Sequence, residues 1–248
     1  MSIYIDFPAE PAPIVRRLGV RLQHLYHWAE AAGPFADIWD LCCDHGRLGL
    51  HIYQAQRGAP PSQRSRVHLN DCVPHIIEKL QHGYAEWMGE HLSIECRDAG
   101  DIVLPESGRQ LIVLAGVGGV TIAGILRSLL FRSETQQLPP IDLLLSPNRH
   151  AFDLRLFLRE HPFVLLQEAF VTEKGSHHEH LHLRLHANGE KPSLVGEALW
   201  QPLTSDKRDY IKAQIGHYRN RVALGGQGEY QLAVEAYEGL LRSEPDLG

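Results

Sequence analysis

The chain has 248 residues, a net charge of −6, and 44% hydrophobic against 22% charged residues, a balance that supplies a full-sized core. No apolar run reaches the roughly 18 residues that a bilayer-spanning helix needs, and Cys42, Cys43, Cys72 and Cys96 show no CxxC spacing, against a zinc ribbon and a disulfide framework. The acidic balance gives nucleic-acid binding no support of its own, since RNA would need a local basic surface.

Met1 to Pro13 is acidic and proline-rich, with neither a basic head nor an apolar core. It does not read as a signal peptide, and the expected compartment is the cytoplasm. Val15, Leu18, Leu22, Leu25, Trp28 and Ala29 keep helical spacing, so Val15–Ala31 is expected as a helix that Gly33-Pro34 stops. A strand over Asp37–Cys43 and a helix over Leu48–Gln56 follow, then a loop, Arg57–Arg66. Val67–Asn70 reads as a strand and Pro74–Met88 as a helix; Leu92–Cys96 and Gln110–Ala115 read as strands and Thr121–Arg132 as a helix. Ile141–Leu145 is expected as a strand and Ala151–His161 as a helix, and Phe163–Phe170 and His178–His186 as two strands close enough for a hairpin. Beyond Pro192 the pattern changes to two helices, Asp206–Arg221 and Glu229–Arg242, joined at Gly225-Gly226-Gln227-Gly228.

Alternating strands and helices predict an α/β fold, a mostly parallel sheet covered on both faces. The late hairpin favours the Rossmann-like methyltransferase variant of that fold, with seven strands and an antiparallel terminal strand. The expected organisation is residues 1–190 as the main domain and residues 191–248 as a helical hairpin.

Ligands of such sheets sit beyond the C-terminal strand ends. The first strand-to-helix turn reads Asp40-Leu41-Cys42-Cys43-Asp44-His45-Gly46, where glycines commonly alternate to let backbone approach a ligand. Only Gly46 occupies a glycine slot; Cys42 and Asp44 hold the other two. Asp71, after the second strand, can accept hydrogen bonds from ribose hydroxyls or act as a helix N-cap. Asp98, beside Ala99, can face an adenine or be a solvated loop acid. Acids after three successive strands outline a nucleoside. Ala115-Gly116-Val117-Gly118-Gly119 allows close approach after the fourth strand or makes a tight turn. Ser146-Pro147-Asn148-Arg149 follows the fifth, where Asn148 can hold a planar amine or base edge. His178, His180 and His182 share one strand face, which suits either zinc or a polar outer surface; the latter is expected, and no metal.

Taken together, Asp40-Leu41-Cys42-Cys43-Asp44-His45, Ala115-Gly116-Val117-Gly118-Gly119 and Ser146-Pro147-Asn148, in this order and with Arg21-Leu22 before them, resemble the bacterial tRNA (adenine(22)-N1)-methyltransferase family. The resemblance covers about residues 14–186. The family carries glycine at Cys42, methionine at Val117, glutamine at Ser146 and Ala-Tyr-Leu-Pro over Gly46-Arg47-Leu48-Gly49, so this chain looks like a divergent relative.

The resemblance implies S-adenosylmethionine as cofactor and tRNA as substrate. It implies Asp40, Cys42, Asp44, His45 and Gly46 against the cofactor, Arg21 at its methionine carboxylate, Asp71 at the ribose, Asp98 and Ala99 at the adenine, and Gly116 and Gly118 beneath. Asn148, Ser146, Pro147 and Asp44 would face the acceptor base. Arg16, Arg17, Arg149, Lys207, Arg208 and Lys212 are candidates for RNA phosphates. A methyltransferase of small molecules or proteins, and a SAM- or RNA-binding protein without turnover, are the competing readings. An NAD-dependent oxidoreductase is disfavoured because Gly-x-Gly-x-x-Gly is absent from the first turn.

Overall fold

Burial along a whole strand requires a central place in a sheet covered on both faces. Asp37–Leu41 (β1) and Ile141–Ser146 (β5) are buried at every residue, and Gln110–Ala115 (β4) at all but its last. These strands form the middle of the sheet in a computed structural model that describes residues 15–131, 138–226 and 228–242. The other strands are Arg66–Asp71 (β2), Leu92–Cys96 (β3), Phe163–Glu173 (β6) and Ser176–Leu185 (β7). Their order is β3-β2-β1-β4-β5-β7-β6. β7 runs antiparallel to both neighbours, and the remaining pairs are parallel. The seven-stranded Rossmann-like sheet expected from the sequence is present, with the antiparallel strand inserted between β5 and β6.

One face of the sheet packs Ile38, Leu69, Val113 and Leu144 against the helices Val20–Ala32 (α1), Arg47–Gln56 (α2) and Pro74–Gly83 (α3). The other face packs Trp39, Leu41, Leu114 and Leu145 against Gly119–Leu130 (α4) and Ala151–Glu160 (α5). Two C-terminal helices, Ser205–Ala223 (α6) and Gly228–Arg242 (α7), bury Tyr218 and Tyr237 with Phe152 and Trp200 in a further cluster. Arg155 on α5 ties that end together. Its guanidinium is fully buried and donates to Glu168 at 2.7 Å and to Glu179 at 2.8 Å, and Tyr210 of α6 donates to Glu179 at 2.9 Å.

Several boundaries differ from expectation for identifiable reasons. α1 starts at Val20 rather than Val15, because Gly19 is its N-cap and the Val20 N–H donates to Glu173. α3 ends at Gly83, short of Met88, and a 3-10 turn over Ala85–Trp87 follows. That break turns the buried Trp87 towards Tyr53, whose hydroxyl donates to the Trp87 carbonyl at 3.2 Å. The hairpin strands run to a two-residue turn, Lys174-Gly175, with both φ values positive at 50° and 78°; such a turn matches the twist of paired strands. Met1–Pro13, Arg132 at the expected end of α4, and Gln227 lie outside the described residues.

The histidine face of β7 is not a solvated outer surface. His180 is 0% and His182 4% exposed, because α1 lies across them. The His24 and His180 Nδ1 atoms are 3.0 Å apart, one donating and one accepting, and Trp28 sits beside both strand histidines. His182 Nε2 reaches Asp142 at 3.1 Å, and Arg109 and Arg184 pair with the same carboxylate. Burial alone would raise the Asp142 pKa, but these hydrogen bonds outweigh it and hold the carboxyl well below its ordinary value.

Candidate functional site

Parallel strands in register end together, and here Leu41, Asp71, Ala115 and Ser146 finish at one edge of the sheet. A cavity of about 800 Å³ opens there, within the range of small-molecule sites.

Its first wall is the β1–α2 turn. Cys42, Asp44 and Gly46 have φ of 53°, 50° and 60°. The left-handed backbone that alternating glycines adopt freely is therefore retained at all three slots, although side chains occupy two of them, a strained arrangement for an ordinary residue. The turn is held by its neighbours: the Cys43 N–H donates to the Asn70 carbonyl at 3.0 Å, and the Asp44 N–H to Asp71 Oδ2 at 3.0 Å. Gly46 serves packing behind the turn, since a Cβ there would come 2.9 Å from Leu69. Burial pushes both thiols up, Cys42 to about 12, so neither is a thiolate nucleophile near neutrality.

Asp40 and Asp71 make the acidic floor. Asp40 Oδ2 accepts the Gly49 N–H at 2.8 Å and so pins the first turn of α2 to β1. Burial pushes its pKa up to about 7, against the Gly49 hydrogen bond and the Arg21 charge. Asp71 Oδ1 accepts the Val73 N–H at 3.1 Å, while α3 takes Val73 rather than Asp71 as its N-cap. Asp71 thus braces two loops, and its oxygens keep lone pairs for a ligand. Arg21 reaches in from α1 to within 4 Å of where a Gly116 Cβ would stand. Burial lowers its pKa, with Glu173 and Asp40 opposing. Its buried Nη1 has no hydrogen-bond partner among the described residues.

The opposite wall joins the turns after β4 and β5. Gly116 has a φ of 105°, and its carbonyl accepts from Asn148 Nδ2. The Asn148 N–H donates to the Val117 carbonyl at 2.9 Å. With its amide nitrogen held, exposed Asn148 is left with its side-chain oxygen as an acceptor.

Arg21, Asp40, Cys42, Asp44, His45, Asp71, Gly116 and Asn148, all anticipated from sequence, line this one cavity. Other anticipated residues do not. Ser146 and Pro147 are buried beneath Asn148, and Ser146 Oγ has no partner among the described residues. Gly118 caps α4 instead. Asp98 is exposed and accepts the Gly100 N–H at 2.8 Å, and Ala99 packs into the core. Cys43, Arg47, Cys72, Val117 and Thr121 also line the cavity; none was singled out as a site residue, although Cys43 and Val117 lie inside the motifs that carry the resemblance and Arg47 and Val117 stand at departures from the family pattern.

Of the basic candidates, Arg16, Arg17 and Arg149 are exposed. Lys207, Arg208 and Lys212 lie in the first half of α6, whereas the residue of α6 beside the β5–α5 turn is His217, its ring 5.5 Å from His150. Among the described residues no group of three or more His, Cys, Asp or Glu is arranged to hold a metal, and no helix is long and apolar enough to cross a membrane.

Residues 18–181 match the sequence profile of a methyltransferase domain. Among solved structures, the M1A22 tRNA methyltransferase TrmK of B. subtilis is 19% identical, covers 91% of this chain and 97% of its own, and superposes with a TM-score of 0.65. TrmK of M. capricolum, in complex with S-adenosyl-homocysteine, is 13% identical with coverages of 91% and 96% and a TM-score of 0.64. An uncharacterized Listeria monocytogenes protein is 16% identical, with 91% and 100% covered and a TM-score of 0.66. These likenesses show the fold. No curated protein matches the chain by sequence.

Proposed function

Because the chain belongs to the methyltransferase domain family, we propose that it acts in the cytoplasm as an S-adenosylmethionine-dependent methyltransferase whose acceptor is adenine N1 in tRNA. The observation that carries the reading is one cavity lined by Asp71, by Asn148 and by Arg21, whose buried Nη1 has no hydrogen-bond partner among the described residues. The donor set fits the cofactor. Asp71 offers carboxylate oxygens to ribose hydroxyls, Arg21 offers guanidinium N–H groups to a carboxylate, and buried Asp40 favours positive charge nearby. When bound, S-adenosylmethionine supplies a methyl group already activated on a sulfonium.

The chain's own part is then positioning and electrostatics. Asn148 Oδ1 would accept the adenine amino group and align the ring. Asp44, exposed at the mouth beside His45, would balance the positive charge the ring gains when N1 is methylated. Ser146 and Pro147 set the Asn148 turn from below. A base buried in a helix must first be turned out of its stack, at a cost of about a few kcal/mol. The two TrmK structures named above support tRNA as acceptor through their described activity. Residues 191–248 are, in this reading, a unit appended to the catalytic one; within it α6 and α7 make the helical hairpin, and residues 243–248 lie outside the described residues.

The test is transfer of labelled methyl from S-adenosylmethionine to bulk unmodified tRNA, with Asp44→Ala and Asn148→Ala alongside. Label recovered as 1-methyladenosine and lost in both variants is expected. Measurable cofactor binding without label in tRNA would overturn the acceptor and redirect the search to proteins and small molecules.

A further inference from the structure

A second cavity, of about 470 Å³, adjoins the first and shares Arg21, Leu22 and Arg47 with it. Its cations come from separate parts of the chain: Arg17 before α1, Arg21 on α1, Arg47 at the start of α2 and Lys174 at the hairpin turn, with His178 of β7 alongside. Its acid, Glu173, has Oε1 engaged by the Val20 N–H at 2.9 Å at the start of α1, where the helix dipole favours negative charge.

Two guanidiniums each have one nitrogen without an acceptor: Arg21 Nη1 and Arg47 Nε are buried and have no hydrogen-bond partner among the described residues. A charged donor removed from water without an acceptor is costly, and both side chains remain in place around a polar cavity. An oxyanion there would satisfy Arg47 Nε and draw on Lys174, which lines the same cavity, while Arg21 stays with the cofactor's carboxylate.

We propose that this second cavity is a phosphate subsite that holds a phosphodiester group of the acceptor strand next to the nucleotide being methylated. The proposal rests on the polynucleotide acceptor proposed above and adds the place where that strand is gripped. Arg21 and Arg47 border both cavities, so a phosphate bound there adjoins the cavity assigned to transfer. The grip fixes the register of the strand and reads no base. It also resolves how a chain of net charge −6 can bind RNA, because the cations are concentrated at one concave place rather than spread over the surface.

Lys174 is exposed at a turn and lines the second cavity without lining the first, so Lys174→Gln separates the two sites. The measurements are affinity for labelled unmodified tRNA across a salt series, KM for tRNA, and Kd for S-adenosylmethionine. The expected result is a salt slope reduced by about 1, a several-fold rise in the KM for tRNA, and an unchanged cofactor Kd. Unchanged slope and KM would overturn the subsite. So would an Arg47→Gln variant that weakens cofactor binding as much as tRNA binding, since the anion held would then be the cofactor's carboxylate. If the wild-type protein methylates no tRNA, the acceptor reading fails by itself, and inorganic pyrophosphate decides the subsite. A rise in Tm with pyrophosphate that Lys174→Gln and Arg47→Gln abolish sustains it, and equal shifts in all three proteins remove it.

Discussion

His180 makes the stability of this protein sensitive to mild acid. It is 0% exposed, its Nδ1 is committed to His24, and its Nε2 has no partner among the described residues. Burial, with the charges of His24, Arg21 and His178 in support, pushes its pKa down to about 3, against roughly 6.5 in an unfolded chain. The folded state therefore refuses a proton that the unfolded state takes up. The stabilising contribution is complete above pH 6.5 and is lost as the pH falls towards 3, at about 1.4 kcal/mol per pH unit. At pH 5.0 the loss from this one group is about 2 kcal/mol, a large fraction of the stability of an ordinary domain. Urea unfolding of the wild type and His180→Gln at pH 7.5 and pH 5.0 tests it. The carboxylates are common to both proteins and cancel in the difference. His24 and His178, which burial also lowers, are coupled to His180, so the difference reports the histidine cluster with His180 at its centre. The wild type should lose about 2 kcal/mol more than the variant between the two pH values. Equal losses would refute the assignment of a buried neutral His180.

Two further substitutions test the packing. Arg155→Ala leaves the Glu168 and Glu179 carboxylates buried without their cation and should cost about 3–5 kcal/mol in urea unfolding; a loss below about 1 kcal/mol would mean that these acids reach water or protons freely. Gly119→Ala puts a Cβ onto the His150 carbonyl oxygen, well inside van der Waals contact, and should cost about 1–3 kcal/mol. Gly124→Ala in the same helix meets nothing within 4 Å and should be neutral or stabilising by up to about 1 kcal/mol; equal effects of the two would refute the close approach of α4 to the β5–α5 turn.

Local patterns carried much of the architecture. Alternation of apolar strands with amphipathic helices marked β1 to β5 and the helices between them, because each period depends on near neighbours in the chain. Parallel pairing of β1 to β5 then places the C-terminal ends of these strands at one edge, so Asp71, Gly116 and Asn148 could be assigned to a common site from their positions after strands. The glycine slots at Cys42 and Asp44 were legible too, as positions where backbone approaches a ligand; that both keep a positive φ with side chains in place was decided by the folded turn. The hairpin was read short because Thr172, Glu173, Ser176 and His177 are polar enough to pass for loop, while their pairing continues across the turn.

Tertiary packing alone decided the rest. His24 meets His180 across 156 positions of sequence, and no local period records that α1 covers the histidine face, so a strand that reads as half-solvated is buried on both sides. The same covering helix brings Arg21 over Gly116, and the β6–β7 turn brings Lys174 to the cavity that Arg47 also lines. Both cavities owe their cations to that convergence. Residue types and spacing specify which groups a chain possesses and which way each element faces. Which distant groups share one dielectric environment, and hence which donors are left without acceptors, is settled only when the layers close and exclude water.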